Sequence, residues 1–482
     1  MILLVPILLP VAVGVLLPLL RLKNRSAKLT LIFLTLAVSA GCTLAAACQN
    51  APSATLLSLT DTLTVCFSLD ALGKVFAVFS SLLWLCIGVY AFRYMQHEER
   101  EDRFFCFLLL ALGFTMALDF SANLITMYLS FELITLSTFP LVLHNQKPEA
   151  VRASLKYLFY SIAGAFLALF GLFLVAYYGE TTLFTPGGVL SADAMQSSRG
   201  LLQAAAFCML LGFGAKCGLY PLHGWLPTAH PVAPAPASAL LSALIVKAGV
   251  LCCIRSVYYL IGPDFLRGTW VQTAWMVLAL LTIFLGSMMA YREKRLKKRL
   301  AYSTVSQVSY ILLGLACLNP DGALGGLLHS VCHAAIKSGL FMIAGAIIFE
   351  TGAVQVDELR GIGRRMPLTM VCWTILSLAL IGIPPTGGFV SKWYLGLGAL
   401  HAGLGALSYI APVVLLLSAL LTAGYLLPIS LQGFLPGEGV TPVRRQEPSW
   451  QMLLPIALTT LAALLLGIFT EPLISALAAV LA

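Results

Sequence analysis

Apolar runs of membrane-spanning length dominate this sequence and limit what it can fold into. A hydrocarbon core takes about 20 apolar residues per helix. Fourteen such runs lie near residues 2–20, 29–48, 71–92, 104–119, 122–143, 155–178, 201–222, 236–260, 270–291, 301–317, 324–349, 367–400, 408–432 and 451–470. Only 10% of the 482 residues are charged, whereas roughly 25% are charged in a soluble domain. The sequence therefore predicts an all-α integral membrane protein with about fourteen transmembrane helices.

The first run is expected to be a retained helix, because no cleavage site of small residues follows it.

Basic residues concentrate in the loops that follow odd-numbered runs. These loops hold 21 of the 29 Lys and Arg residues: Arg21, Lys23, Arg25, Lys28, Arg93, Arg100, Arg103, Lys147, Arg152, Lys156, Arg292, Lys294, Arg295, Lys297, Lys298, Arg299, Arg360, Arg364, Arg365, Arg444 and Arg445. Loops on the other side hold only Arg199 and Arg267. The positive-inside rule then predicts a cell-membrane protein with both termini on the outer side. This bias explains the net charge of +9, so we expect no nucleic-acid partner.

Cysteine spacing gives no sign of a redox or metal centre. The 12 cysteines stand singly apart from the adjacent Cys252 and Cys253, and no CxxC pair occurs. They are typical of small apolar fillers in a membrane interior. Neither GxGxxG nor GxxxxGK[ST] is present. We expect no cofactor and no metal here, so any electrons must travel in another subunit.

Ionisable residues inside the runs are the candidates for function. Six basic residues lie in or at the edge of runs: Lys74, Lys216, Lys247, Arg255, Lys337 and Lys392. Lys74 and Arg255 lie near run ends, where long side chains reach the membrane interface. The other four, together with Glu132 in LSFELITLSTF, are deep enough to cost at least ~2.5–3.5 kcal/mol each on insertion scales. These five must therefore face one another or water.

The deep residues fit a proton path. One carboxylate against four lysines leaves an excess of buried positive charge, which favours proton release. In LLHSVCHAAIKSG, two histidines and a lysine recur every four residues, which places them on one helical face. We predict a relay of Glu132, Lys216, Lys247, His329, His333, Lys337 and Lys392. Structural ion pairs and packing hydrogen bonds are the alternative.

Prolines and glycines interrupt two runs beside a lysine. Pro221 follows Lys216 in the seventh run, and Pro384-Pro385 precedes Lys392 in the twelfth. Paired interruptions are typical of inverted repeats around a transport path. The two interrupted runs are five helices apart, and because five is an odd number the second copy crosses the membrane in the opposite direction. We therefore predict inverted five-helix repeats, helices 4–8 and 9–13, with helices 7 and 12 broken. The predicted divisions are 1–103 (helices 1–3), 104–260 (first repeat), 261–432 (second repeat) and 433–482 (C-terminal loop and helix 14).

Four separated strings resemble the antiporter-like membrane subunits of the complex I superfamily. This family includes proton-pumping subunits of NADH-quinone oxidoreductase, membrane-bound hydrogenases and Mrp-type sodium/proton antiporters. The strings are PLHGWLPTAHPVAPAPASALLSALIVKAG (221–249), RLAYSTVSQVSYILLG (299–314), HAAIKSGLFMIAGAI (333–347) and GIPPTGGFVSKW (382–393). The resemblance covers roughly residues 65–430, and HPVAPAPASALLSALIVKAG is most similar to the Mrp and hydrogenase types.

The resemblance also implies roles for the residues. Glu132 would pair with Lys216, and Lys392 would end the relay. Lys247 and His333 would form the central polar axis, and His329 and Lys337 match the same helix pattern. Thr228 and Val232 stand where the family often has acidic residues, so the resemblance does not transfer the role of those acids to this chain.

The predicted function is proton translocation, with sodium/proton exchange left open, as the antiporter-like subunit of a multisubunit respiratory or hydrogenase complex. The expected partners are homologous antiporter-like subunits, small helical membrane subunits and, in a redox complex, peripheral redox subunits. The chain is not expected to be a redox enzyme by itself. The alternatives are an Mrp-type antiporter subunit without redox coupling, a transporter of a small solute, and a structural scaffold.

Overall fold

The computed structural model describes residues 2–20, 22–58, 60, 63–437 and 445–481. Its α-helices are α1 (Val5–Leu20), α2 (Arg25–Ala47), α3 (Ala71–Tyr94), α4 (Glu101–Asp119), α5 (Leu124–Val142), α6 (Pro148–Tyr178), α7 (Ala192–Ser197), α8 (Arg199–Cys217), α9 (Leu226–Val232), α10 (Ala235–Leu240), α11 (Val246–Ile254), α12 (Pro263–Leu266), α13 (Trp270–Arg292), α14 (Leu296–Ala316), α15 (Pro320–Thr351), α16 (Ile362–Arg365), α17 (Pro367–Ile381), α18 (Gly387–Leu400), α19 (Ala406–Phe434), α20 (Trp450–Ile468) and α21 (Thr470–Leu481).

Shorter elements complete the chain. Two 3-10 helices span Met95–His97 and Val356–Leu359, and two π-helical turns span Leu241–Ile245 and Arg255–Ile261. A two-stranded antiparallel sheet pairs β1 (Ser53–Ser58) with β2 (Thr64–Ser68). The apolar-run analysis did not predict this hairpin, which lies between two membrane runs.

Ten helical segments within the described residues are long and apolar enough to cross a membrane. They are Arg25–Ala47, Ala71–His97, Leu124–Val142, Pro148–Tyr178, Arg199–Cys217, Ala235–Ile261, Trp270–Arg292, Pro320–Thr351, Ala406–Phe434 and Trp450–Ile468. The predicted class, a helical membrane protein, is confirmed at this level.

The four remaining apolar runs also fall on helices. The helices α1 and α17 are shorter, α4 begins with three charged residues, and α14 begins with basic residues and carries several serines.

Loops after α1, α3, α5, α9, α13 and α15 contact one another at one end of the bundle, which we call the basic face. The contacts join Arg25 to Glu101, Arg103 to His144, Asn145 to Val232, Lys297 to Ala233, and Lys294 to Val356. Two residues of the predicted basic set, Arg21 and Arg444, lie outside the described residues.

The other end of the bundle, the opposite face, is joined in the same way and includes the β-hairpin. Its contacts join Lys74 to Gln49, Ser68 to Phe120, Leu124 to Thr182, Arg267 to Leu318, and His401 to Asp321. In these pairs, loops that follow odd-numbered apolar runs contact one another at the basic face, and loops that follow even-numbered runs contact one another at the opposite face. An alternating up-and-down bundle requires this arrangement.

Glycines bring the helices of the interior into close contact. A Cβ on Gly164 of α6 would lie 2.6 Å from the Gly212 carbonyl oxygen of α8. A Cβ on Gly249 of α11 would lie 2.7 Å from the Phe213 oxygen of α8. Small residues permit such backbone approach in membrane bundles, so α6 and α11 both pack directly on α8.

Both predicted helix interruptions are present. α8 ends at Cys217 and is followed by Gly218 with φ +79°, and the chain becomes helical again at Leu226. α17 ends at Ile381 and is followed by Gly382 with φ +91°. Glycine adopts this left-handed conformation without strain, which lets each helix stop at once.

Candidate functional site

Lys216 is buried in the last turn of α8, with 1% of the residue exposed. Its ammonium donates to the Thr135 hydroxyl at 2.6 Å and to the Tyr157 hydroxyl at 2.9 Å. The rings of Phe131 and Tyr157 lie 5.4 and 5.0 Å from the same nitrogen. The immediate partners of this charge are therefore neutral oxygens and aromatic rings.

Glu132 is half-buried on α5 and accepts a hydrogen bond from the Tyr128 hydroxyl at 3.0 Å. Within the described part of the chain no ion pair joins Glu132 to Lys216. Thr135, one helical turn further along α5, holds the ammonium instead. The expected pairing of Glu132 with Lys216 is therefore not a direct contact in this structure.

Lys247 lies at the centre of the bundle with 2% of the residue exposed. It follows the π-helical turn Leu241–Ile245, and its ammonium donates to the Ser242 carbonyl oxygen at 3.2 Å. The same ammonium is hydrogen-bonded to Nδ1 of His333 on α15. A lysine and an imidazole in this contact can share one proton. The ammonium donates to the ring nitrogen while that nitrogen is unprotonated, and a protonated ring nitrogen donates to the neutral amine.

The stripe of His329, His333 and Lys337 on α15 is fully buried. Nδ1 of His329 lies 3.0 Å from the Ser391 hydroxyl of α18, and the Lys337 ammonium donates to the Leu300 carbonyl oxygen at 3.1 Å. Among the described residues the Nε2 atoms of both histidines have no partner. Buried polar atoms are normally satisfied by protein groups or by ordered water, so these two nitrogens are available to a further hydrogen-bond partner.

Lys392 lies on α18, half-buried, and its ammonium turns back to the end of the preceding helix. It donates to the carbonyl oxygens of Leu380 and Ile381 at 2.7 and 2.6 Å. These carbonyls are free because α17 stops there. Lys392 thus follows its helix break, whereas Lys216 precedes its own.

The sequence-based prediction missed three residues of this interior: Thr135, Tyr157 and His230. His230 on α9 is fully buried and stacks on Phe341 with ring centroids 4.6 Å apart. Both of its ring nitrogens lack a partner within the described residues. Its position in the TAHPV string after the first break was the only available signal.

A cavity of about 230 Å³ opens near His230 on the basic face. Its lining includes Glu98, Glu149, Val232 and Lys297. The lining also includes Pro231, which follows His230 in the chain.

The prediction that Arg255 reaches the membrane interface is wrong. Arg255 is 1% exposed, and its guanidinium donates to both carboxylate oxygens of Asp70 at 2.6 and 2.7 Å. The rings of Phe184 and Tyr259 lie 4.6 and 4.5 Å from it. The carboxylate at the start of α3 supplies a partner inside the protein, so the side chain has no need to reach solvent. Lys74 does reach outward and donates to the Gln49 carbonyl oxygen at 2.7 Å.

Within the described ranges no group of three or more His, Cys, Asp or Glu side chains is placed to hold a metal ion.

Family models match most of the chain. A model described as NADH:quinone oxidoreductase/Mrp antiporter, TM, matches residues 121–426. A model described as NADH-Ubiquinone oxidoreductase (complex I), chain 5 N-terminus, matches residues 58–105. The chain therefore belongs to the family of membrane subunits shared by NADH:quinone oxidoreductases and Mrp antiporters, and the resemblance inferred from its motifs is confirmed.

Two relatives and one solved structure show the breadth of this family. The chain is 34% identical to NADH-quinone oxidoreductase subunit N of Desulforudis audaxviator, over 84% of this chain and 82% of the relative. It is 29% identical to an Na(+)/H(+) antiporter subunit of Bacillus subtilis, over 83% of this chain and 80% of the relative. It superposes on a chain of respiratory complex I from Thermus thermophilus with a TM-score of 0.81 and 26% identity, over 100% of both chains. These values do not favour the Mrp type over the quinone oxidoreductase type.

Proposed function

We propose that this chain translocates protons across the cell membrane through the buried Glu/Lys/His path, as one membrane subunit of a larger complex. The observation that carries the proposal is the hydrogen bond between Lys247 and His333 at the centre of the bundle. A buried pair that shares one proton can pass it in either direction. Family membership supports the same function, because relatives carry the names of quinone oxidoreductase and antiporter subunits.

Lys216 is the proposed switch of the first half. Hydroxyl groups can both accept from an ammonium and donate to a neutral amine, so Thr135 and Tyr157 can hold Lys216 in either protonation state. A direct salt bridge would hold it in the charged form alone. With the Glu132 carboxylate charged and near, Lys216 keeps its proton. When that charge is withdrawn, the proton moves toward Lys247.

The second half carries the proton from His333 to Lys392. Ring centroids of His333 and His329 lie 5.9 Å apart, and the Tyr310 ring lies between His329 and Lys392 at 5.4 and 5.3 Å. These gaps are too long for direct transfer, so water must bridge them. The unpartnered Nε2 atoms of both histidines supply attachment points for such water.

The proposed architecture has fourteen transmembrane helices and two inverted repeats, helices 4–8 (within 104–260) and 9–13 (within 261–432). The matching helix breaks after Cys217 and Ile381 support the repeat. The basic face is proposed to be cytoplasmic, which places both termini on the outer side.

The proposed setting is a multisubunit complex with other antiporter-like and small helical membrane subunits. A quinone oxidoreductase complex with peripheral redox subunits is the first choice, because the subunit N relative is 34% identical. An Mrp-type complex without redox coupling is the second choice, and there sodium would move as well as protons.

Arginine substitution of the two lysines at the helix breaks tests the proposal. Arginine keeps the charge but does not release its proton in a protein. We expect Lys216→Arg and Lys392→Arg each to lower proton transport by at least about tenfold while the complex still assembles. The measurement is proton uptake into vesicles containing the purified complex, driven by its own electron donor, or by a sodium gradient if no donor exists.

The matched control is Lys294→Arg, an exposed lysine on the basic face, which should transport at the wild-type rate. Electron transfer is recorded in parallel. A complex that assembles but no longer couples still transfers electrons, whereas a complex that fails to assemble does not. Wild-type transport by both Lys216→Arg and Lys392→Arg would mean that these lysines hold structure and carry no protons.

A further inference from the structure

We propose that Asp70, Asp119 and Arg255 form a proton-exchange site at the opposite face of the first half, with Asp119 as the proton carrier and Arg255 as its gate. This inference rests on the proposed proton translocation and adds the place where the first half exchanges protons with the outer solution. We call these three residues the outer cluster.

Three elements meet at the outer cluster. Asp70 caps the start of α3, Asp119 ends α4, and Arg255 follows α11. A Cβ on Gly73 would lie 2.5 Å from the Asp119 carbonyl oxygen and 3.1 Å from a carboxylate oxygen of Asp70. The chain turns over the cluster where the Ser68 amide donates to the Phe120 carbonyl oxygen at 2.7 Å. The start of α3, which carries Asp70, and the end of α4, which carries Asp119, are therefore packed against each other.

Asp119 is 2% exposed, and none of the ion pairs among the described residues includes its carboxyl group. Arg255 gives two hydrogen bonds to Asp70. Within the described residues, Oδ2 of Asp119 and Nε of Arg255 both lack a partner and are buried. An ionised carboxylate is too costly to bury unpaired, so such a group carries a proton instead. Asp119 thus holds a proton while Arg255 pairs with Asp70.

Arg255 acts on both carboxyl groups, which makes it a gate. Its charge reaches Asp119 as well as Asp70. Burial acts to raise the pKa of Asp70, but the hydrogen bond and charge of Arg255 outweigh it and the pKa is lowered. The Asp70 side chain is 34% exposed, so it can turn to water and leave Arg255 free.

The exchange step follows from this arrangement. When the Arg255 guanidinium moves from Asp70 to Asp119, the O–H bond of Asp119 breaks and its proton passes to a water molecule at the opposite face. The Asp119 carboxylate that remains is paired with Arg255. The step reverses when a proton arrives at Asp119 and Arg255 returns to Asp70, so no other reactant is needed.

The outer cluster is connected to the proposed path through the Ala235–Ile261 helix. Cys252 lies three residues before Arg255, and the charges that act on it include Lys216, Arg255 and Asp119. Lys216 and Asp119 are therefore both in the neighbourhood of one buried thiol. The other groups that face the cluster are the Ser80 hydroxyl, which lies near Asp119, and the Tyr259 ring beside Arg255.

Infrared spectroscopy of the purified complex tests whether Asp119 carries a proton. We expect a protonated-carboxyl band at neutral pH that is lost in Asp119→Asn. We also expect Asp70→Asn to weaken this band, because Arg255 then has only Asp119 to pair with. The matched control is Asp264→Asn, which removes an exposed acid paired with Arg267 on the same face and should leave the band intact. A purely structural Arg255–Asp70 pair would give the same band, but Asp70→Asn would then not weaken it.

Proton transport is measured on the same variants. Asp119→Asn should lower it by at least about tenfold, and Asp264→Asn should not change it. If Asp119→Asn does not assemble, the band in Asp70→Asn decides, and an unchanged band there overturns the inference. Wild-type transport by Asp119→Asn also overturns it, provided that Lys216→Arg has lost transport.

If Lys216→Arg and Lys392→Arg both transport normally, the proposed function fails. The infrared band then still decides whether Asp119 binds a proton.

Discussion

The buried charges of this protein are held mostly by neutral partners. Lys216 binds two hydroxyl groups, Lys337 one carbonyl oxygen and Lys392 two. Neutral partners compensate a buried charge less completely than a counter-charge does. A neutral oxygen can remain the hydrogen-bond partner of a lysine in either protonation state, whereas the Arg255–Asp70 ion pair requires both charges.

His144 provides a test of buried-group titration outside the membrane helices. It follows α5 on the basic face and packs edge-on against Phe104, with ring centroids 5.6 Å apart. Burial, and then the charge of Arg103, lowers its pKa from 6.5 to about 4. Between these pH values His144 is protonated in the unfolded chain but stays neutral in the folded chain. The contribution of His144 to the free energy of unfolding is therefore fully present above pH 6.5 and is lost as the pH falls toward 4.

We expect His144→Phe to reduce this acid sensitivity, measured as the midpoint of thermal unfolding of the purified protein between pH 7 and about 4. The control is His97→Gln, an exposed histidine on the same face, which should keep the wild-type slope. Equal slopes for wild type and His144→Phe would contradict the role given to His144.

At the scale of elements, irregular helix geometry positions the site. The π-helical turn Leu241–Ile245 presents the Ser242 carbonyl oxygen to Lys247, five residues later. Such turns are rare and frequently occur at functional sites. The break after α17 likewise presents the two carbonyl oxygens that hold Lys392. Regular helices would have used these acceptors in their own backbone hydrogen bonds.

The contact between α11 and α8 gives a prediction at this scale. A Cβ at Gly249 would lie 2.7 Å from the Phe213 oxygen and 3.0 Å from Cβ of Lys216. Backbone atoms cannot move aside cheaply, so Gly249→Ala should force the two helices apart. We expect a loss of about 1–3 kcal/mol in stability, measured by thermal or denaturant unfolding, and slower proton transport.

Gly41→Ala in α2 is the control, because a Cβ there would meet nothing within 4 Å. It should leave both stability and transport near wild type. An equal effect of the two substitutions would show that the close approach at Gly249 has no special importance.

At the scale of the whole molecule, the two faces of the bundle predict its orientation. Lys294 is exposed on the basic face, and Ser58 is exposed in the β-hairpin on the opposite face. In a Cys48→Ser background, which removes an exposed native thiol, Lys294→Cys should react with a membrane-impermeant reagent only from the cytoplasmic side. Ser58→Cys should react only from outside.

The measurement is labelling of intact cells against inverted membrane vesicles. The reverse pattern would overturn the proposed orientation, and the outer cluster would then exchange protons with the cytoplasm.

The sequence by itself determined the membrane class and the helix breaks, and it predicted the depth of the ionisable residues. Each of these depends on local properties: the length of an apolar run, the position of a proline or glycine, and the distance of Lys247 from the ends of its run. The family resemblance was also available from contiguous strings. None of these features requires knowing which helix packs against which.

Only the tertiary structure decided which residues hold the buried charges. Lys216 meets Tyr157 across 59 positions, Arg255 meets Asp70 across 185, and Lys247 meets His333 across 86. Such contacts depend on how helices pack and rotate, which a single sequence does not encode in any local pattern. For the same reason Arg255 was assigned to the membrane interface. Near a run end it could have reached solvent, and only the packing of α3 and α4 against its helix places a carboxylate within its reach.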